Sequence, residues 1–246
     1  MAASGVTARV GVIKPTLHSR SLQDLKDLLP AGIELLDEQM GFAYRSLDEF
    51  RQAMPAYAAK VASLAAKGVD MIHPEGAPPF MLQGLAEETR LIREWQDRYG
   101  VPVFTTGSTQ VAAMTALGVK KLVGFTPFSG ELADAFARYF TDAGFTVLAM
   151  GKPVGEDESV YKLARAEIAP RIIEAFRKAP TGADVLYILG SDWRALDVIE
   201  EVEATLDIPV LHPVLVRCWY ICRMLDMEAP IKGHGRLLAQ MPPLPG

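Results

Sequence analysis

No apolar run in the 246 residues approaches the length of about 20 that a helix needs to cross a bilayer. The opening stretch, MAASGVTARVGVIKP, has no apolar core of signal-peptide length. A membrane partner is therefore excluded, and the cytoplasm is the expected location. Basic charge is also short. Lysine and arginine number 25 against 30 acids, a net charge of −5, and they are scattered among the acids. Such a surface offers no cationic patch to neutralise phosphates, so nucleic acid is not expected as a partner. Cysteine is scarcer still. Cys218 and Cys222 lie one helical turn apart in VLVRCWYICRMLD. No second Cys or His pair follows at zinc-finger spacing, so they read as packing thiols on a helix over 215–225. No Walker or dinucleotide fingerprint is present.

What the chain does have is alternation. Short runs rich in β-branched residues occur at 9–14, 33–36, 71–73, 101–105, 121–125, 146–150, 185–189 and 209–212. Longer amphipathic stretches separate them: 46–67, with Ser46 as cap and a kink at Pro55, then 85–99, 109–117, 130–143, 160–178, 196–206 and 215–225. Strand–helix alternation of this kind specifies βαβ units around parallel sheets. The pattern also repeats. Gly68-Val69-Asp70 before one strand and Gly76 after it match Gly182-Ala183-Asp184 and Gly190. A strand ends in proline at Pro15 and again at Pro127, and strands open Val101-Pro102-Val103 and Ile208-Pro209-Val210. Three matches in one order indicate duplication of a half-domain. The expected fold is α/β, with two pseudo-symmetric Rossmann-like (flavodoxin-like) lobes, parallel sheets and the site in the inter-lobe cleft. The first lobe is placed at 1–117 with 215–246 and the second at 118–214.

Ligands of open parallel sheets bind beyond the carboxyl ends of the strands. The residues there are Lys14, Thr16, His18, His73, Glu75, Gly76 and Ala77 in the first half, and Phe128, Gly190, Ser191, Asp192, Trp193, Arg194 and His212 in the second. So arranged, the chain resembles the aspartate/glutamate racemase superfamily, in the branch of maleate cis-trans isomerase and arylmalonate decarboxylase. The likeness rests on VGVIKP, VDMIHPEG, VPVFTTGSTQVAAMTALGVKKLVGFTP, GADVLYILGSDWRALDVIEEVEATLDIPV and GHGRLL. It implies a small carboxylate held between the lobes and cysteines just after matching strands that move a proton at the neighbouring carbon. This sequence departs from that pattern. Gly76 and Gly190 stand where the family thiols do, Ala77 and Pro78 replace hydroxyl residues, and Phe128 takes a tyrosine position.

Cysteine-independent acid/base lyase or isomerase chemistry is the first expectation. Glu75, Asp192 and His73 would transfer the proton. Lys14, Thr16, His18, Ala77, Phe128, Ser191, Trp193, Arg194 and His212 would anchor or enclose a small carboxylate or carbonyl substrate, and the Gly76 and Gly190 turns would bind anionic oxygen through backbone N–H. No cofactor is required. One alternative is a divalent metal on His18, His73, Glu75, Asp192 and His212, giving a lyase or hydrolase. Another is a carboxylate-binding pseudoenzyme. Association into a homo-oligomer is compatible with either.

Overall fold

A computed structural model describes residues 7–16, 20–42, 47–155, 157–190, 193–227 and 230–246. The chain divides into two compact units, Met1–Thr109 and Gln110–Gly246. No described helix is long and apolar enough to cross a membrane.

The first unit carries a parallel sheet of β1 (Ala8–Lys14), β2 (Ile33–Gln39) and β3 (Met71–Pro74) in the order β2-β1-β3. The expected strand at 101–105 shrinks to a parallel bridge between Ile72 and Val103. Pro102 has no N–H to give, and the pairing is made by Ile72 N–H to the Pro102 carbonyl and Phe104 N–H to the Ile72 carbonyl. The helix expected over 46–67 breaks at Gln52 and Ala53 into α2 (Leu47–Arg51) and α3 (Met54–Ala66). Pro55 therefore starts a helix instead of kinking one, in the first turn where its missing N–H costs nothing. Ser46, the expected cap, lies outside the described residues. Helix α5 (Leu85–Tyr99) lies where the amphipathic pattern placed it, with Gly100 in the left-handed region at its end. Two helices were not anticipated, α1 (Ser21–Leu28) and the proline-rich α4 (Ala77–Gln83). Tyr57, Val61, Leu64, Ile72, Phe80 and Trp95 form the centre of this unit's core.

Helix α6 (Thr106–Ala116) leads into the second unit, whose parallel sheet runs β5-β4-β6-β7. Its strands are β4 (Lys121–Phe125), β5 (Thr146–Gly151), β6 (Val185–Ile188) and β7 (Val210–Leu211). Around them pack α7 (Glu131–Asp142), α8 (Arg165–Lys178), α9 (Ile199–Leu206), α10 (Pro213–Met224) and the unanticipated α11 (Arg236–Gln240). The first residues of the expected 160–178 and 196–206 helices form 3-10 turns, Val160–Lys162 and Ala195–Val198, before α8 and α9 begin.

Counting the Val103 bridge as a fourth position, the two sheets have the same strand order, and much of the sequence echo has a hydrogen-bond counterpart. Asp70 accepts from Arg9 N–H at 2.7 Å, and Asp184 accepts from Lys120 and Lys121 N–H at 2.8 Å each. Both aspartates thereby fix the start of their unit's central strand. Glu75 N–H donates to the Ile13 carbonyl as Leu189 N–H donates to that of Phe125. Leu186 N–H reaches the Pro209 carbonyl as Ile72 N–H reaches that of Pro102. Gly76 and Gly190 then leave their strands at φ of 127° and 111°.

The terminal GHGRLL motif is structural. Glu203 of α9, buried, accepts from Val210 N–H at 2.7 Å and Arg236 N–H at 2.8 Å, tying α9, β7 and α11 together. Burial pushes its carboxyl above the ordinary range, while the two backbone donors oppose the shift. Gly235 is required because a Cβ there would meet Ile199 at 3.0 Å and Glu203 at 3.1 Å.

Candidate active site

In sheets of order 2-1-3 the crevice opens where the strand order reverses, between the first and third strands. The loops after β1 and β3, and after β4 and β6, are therefore the ones to build from. In the first unit Lys14 and Thr16 leave β1 buried, and Thr16 Oγ1 has no hydrogen-bond partner among the described residues. His18 lies outside the described residues. After β3, His73 is buried, stacked on Phe104 at 5.0 Å between ring centroids, with Nδ1 2.9 Å from the Phe104 carbonyl. A carbonyl only accepts, so Nδ1 carries a proton.

Glu75 is 7% exposed, and Ser21 Oγ of α1 donates to its carboxylate at 3.0 Å. Tyr57 Oη donates to the Glu75 carbonyl at 2.6 Å. A helix and a phenol thus hold this acid's backbone and side chain separately. Gly76 N–H donates to Thr106 Oγ1 at 3.3 Å, which occupies the donor expected to bind anions. Of the next three residues, Ala77, Pro78 and Pro79, only Ala77 has an N–H. A Cβ at Gly76 would lie 2.7 Å from Tyr57 Oη.

In the second unit Phe128 N–H donates to Thr126 Oγ1 at 3.3 Å, and its ring meets Phe136 edge-on. Ser191 and Asp192 are outside the described residues. Trp193 is buried, its Nε1–H donating to the Leu189 carbonyl at 2.9 Å, and a Cβ at Gly190 would meet that nitrogen at 2.8 Å. Trp193 is thus the packing lid of the Gly190 turn. Arg194, in the left-handed region, is half exposed and paired with Asp197 at 2.5 Å, a placement that does not support the anchoring expected of it.

His212 is wholly buried and caps α10, its Nδ1 accepting from Val214 N–H at 3.3 Å. That fixes Nε2 as the protonated nitrogen. Nε2 makes no hydrogen bond of normal geometry, although the Gly190 backbone lies close enough to favour the charged ring. Burial dominates and lowers its pKa to about 4, with Arg217 adding to the shift and Asp197 opposing it.

Several buried polar groups were not anticipated. Glu88 accepts from Thr105 Oγ1 at 2.6 Å. Among the described residues Gln110 on α6 has neither amide atom hydrogen-bonded, and Tyr187 Oη on β6 is likewise without a partner. A polar residue two or three places past a strand is a visible signal. One within a helix that the pattern reads as core, as Gln110 is, is not. Cys218 and Cys222 are free thiols buried on α10, where a hydrogen bond between them together with burial raises the Cys218 thiol. Among the described residues no group of three or more His, Cys, Asp or Glu could hold a metal ion. Two of the five expected ligands, His18 and Asp192, lie outside them. An open hollow of about 510 Å³ beside β5 and α8, walled by Met150, Lys152, Arg171 and Lys178, includes none of the expected site residues.

The fold and the paired strand ends define a class, and the sequence places the chain in it: it belongs to the arylmalonate decarboxylase family, whose model matches residues 10–238. No curated protein matches the sequence significantly. Among solved structures, the Nocardia farcinica maleate cis-trans isomerase bound to TRIS superposes with a TM-score of 0.82 at 20% identity, covering 95% of this chain and 98% of that one. The maleate isomerase Iso from Pseudomonas putida S16 gives 0.80 at 18% identity over 95% and 99%. Arylmalonate decarboxylase gives 0.77 at 20% identity over 94% and 98%. These likenesses establish the fold as that of the two-lobed, Rossmann-like isomerases and decarboxylases.

Proposed function

We propose that this chain is an enzyme acting on a small organic acid, at the carbon next to a carboxylate or carbonyl, by acid/base lyase or isomerase chemistry that uses neither cysteine nor cofactor. The observation that carries the reading is a buried, doubly held Glu75, together with glycine turns at both family thiol positions where a Cβ would press on Tyr57 or Trp193. The Nocardia isomerase structures include a cysteine-to-serine variant with a covalently bound succinylcysteine intermediate, so thiol chemistry belongs to that neighbour. Here the two cysteines are buried in α10.

Lys14 anchors the substrate carboxylate. For a malonate, the bond from the central carbon to one carboxyl breaks, CO2 leaves, and the electron pair passes into the remaining carboxylate as an enediolate. Glu75 or Asp192 then gives a proton to the carbon and regains one from water. His73 serves as the base when a proton is exchanged at that carbon.

Purified protein incubated with phenylmalonate and with maleate tests the proposal, following CO2 release, fumarate formation and deuterium uptake from D2O. Turnover that survives thiol alkylation and chelation, and falls at least about 100-fold in Glu75→Gln, is the expected result. Loss of turnover on alkylation overturns the cysteine-free mechanism. Thermal stabilisation by these acids without turnover identifies a carboxylate-binding protein instead.

A further inference from the structure

Building on that functional reading, we infer that His212 is the electrophile of the site: a neutral imidazole whose Nε2–H polarises a carboxylate or carbonyl oxygen of the substrate as the enediolate forms. Three observations carry this. The ring sits at the end of β7, the neighbour of β6 in the sheet, and beside the Gly190 turn that follows β6 at the crevice. The Val214 N–H occupies its Nδ1, so the base position is closed and one tautomer is fixed. Among the described residues its buried Nε2 has no hydrogen bond of normal geometry, the Gly190 backbone acting on it only by electrostatic effect, in a protein interior where such groups are nearly always paired.

The position also keeps the ring uncharged. His212 caps the N-terminus of α10, where the partial positive charge of the helix opposes an imidazolium. Burial and Arg217 act in the same direction, and Asp197 and the Gly190 backbone only partly offset them. A neutral imidazole next to a helix N-terminus can polarise a carbonyl without surrendering its proton. No proton moves at His212. The electron pair released at carbon gathers on the substrate oxygen, and Nε2–H stays on its nitrogen. The residue therefore selects a substrate presenting an acceptor oxygen at this point, and its contribution does not change between pH 5.5 and 8, the range in which an ordinary histidine changes charge.

The test uses the full chain labelled with 15N-histidine, with the His212 signals assigned by their loss in His212→Gln. One imidazole is expected to keep the Nε2–H tautomer without titrating between pH 8 and 5.5, and its Nε2 proton should move downfield on saturation with phenylmalonate or maleate. In turnover, His212→Leu should lower kcat about 100-fold with KM little changed, as loss of one oxyanion donor does, and His212→Gln should recover part of the loss through its amide donor. An Nδ1–H tautomer, titration near an ordinary histidine pKa, or full activity in His212→Leu overturns the inference. Binding of either acid without a response of the Nε2 proton overturns it alone. Absence of binding and turnover with both acids removes the functional reading along with it. The nuclear resonance arms observe the unmodified protein and need only His212→Gln for assignment, so they decide the matter even where His212→Leu fails to fold.

Discussion

Lowering the pH to 5 should weaken the second unit through His212. The unfolded chain binds a proton at this residue as pH falls through 6.5, whereas the folded chain does not until about 4. Stability conferred by the neutral ring is therefore complete above pH 6.5 and is lost as pH falls toward 4. The full span corresponds to about 3 kcal/mol, of which about 2 kcal/mol is gone at pH 5. His212→Asn is the matching control, because asparagine is a good helix cap that can still accept from Val214 N–H but does not titrate. Urea unfolding at pH 7.5 and pH 5, followed by tryptophan fluorescence, reads the effect, since Trp193 and Trp219 both lie in this unit. With a urea slope of about 2–3 kcal/mol per molar, the wild-type midpoint should drop about 0.7–1 M further than that of the variant. Equal drops would refute the argument, since all other groups titrate alike in both proteins.

Gly76→Ala and Gly190→Ala should each lower stability by about 1–3 kcal/mol, since both glycines hold a positive φ and their Cβ would press on Tyr57 or Trp193. Thermal unfolding checks this, and unchanged midpoints would mean that a thiol could have stood there. Asp184→Ala should cost more than Asp70→Ala, two exposed backbone bonds being lost against one, at about 0.5–1 kcal/mol per bond by denaturant titration. Glu203 should act on pH dependence in the opposite sense to His212. Its folded pKa is raised, so its contribution is greatest below the unfolded value and falls as pH rises through the folded one. Glu203→Gln should flatten that slope when stability is measured between pH 4 and 7.

The strands and the doubled order were readable because β-branched runs and the Asp–strand–Gly phrase are local signals tied to backbone needs. Lys121–Phe125 and Leu85–Tyr99 appear where the sequence placed them. The strand over 101–105 misled because Val101, Val103 and Phe104 have strand character, while Pro102 and the early start of α6 leave room for one bridge. Helix α4 was hidden because Pro78 and Pro79 read as loop residues, although both fall in a first turn that tolerates them. At the site, Glu75 was visible from its place after a strand. Ser21 and Tyr57, which hold it, were not, because they come from α1 and α3, and only the folded chain brings them to β3.

The two aspartates at Asp70 and Asp184 separate support from chemistry. Their bonds, and those of the strand ends that follow, fall on main-chain groups, so the same backbone frame is set in both units although some side chains between aspartate and glycine differ. At equivalent places the first unit has His73 and Glu75 where the second has Tyr187 and Leu189. A duplicated frame of this kind lets one copy be rewritten while the other holds its shape, so new activities can arise by exchanging single residues after a strand without rebuilding the fold.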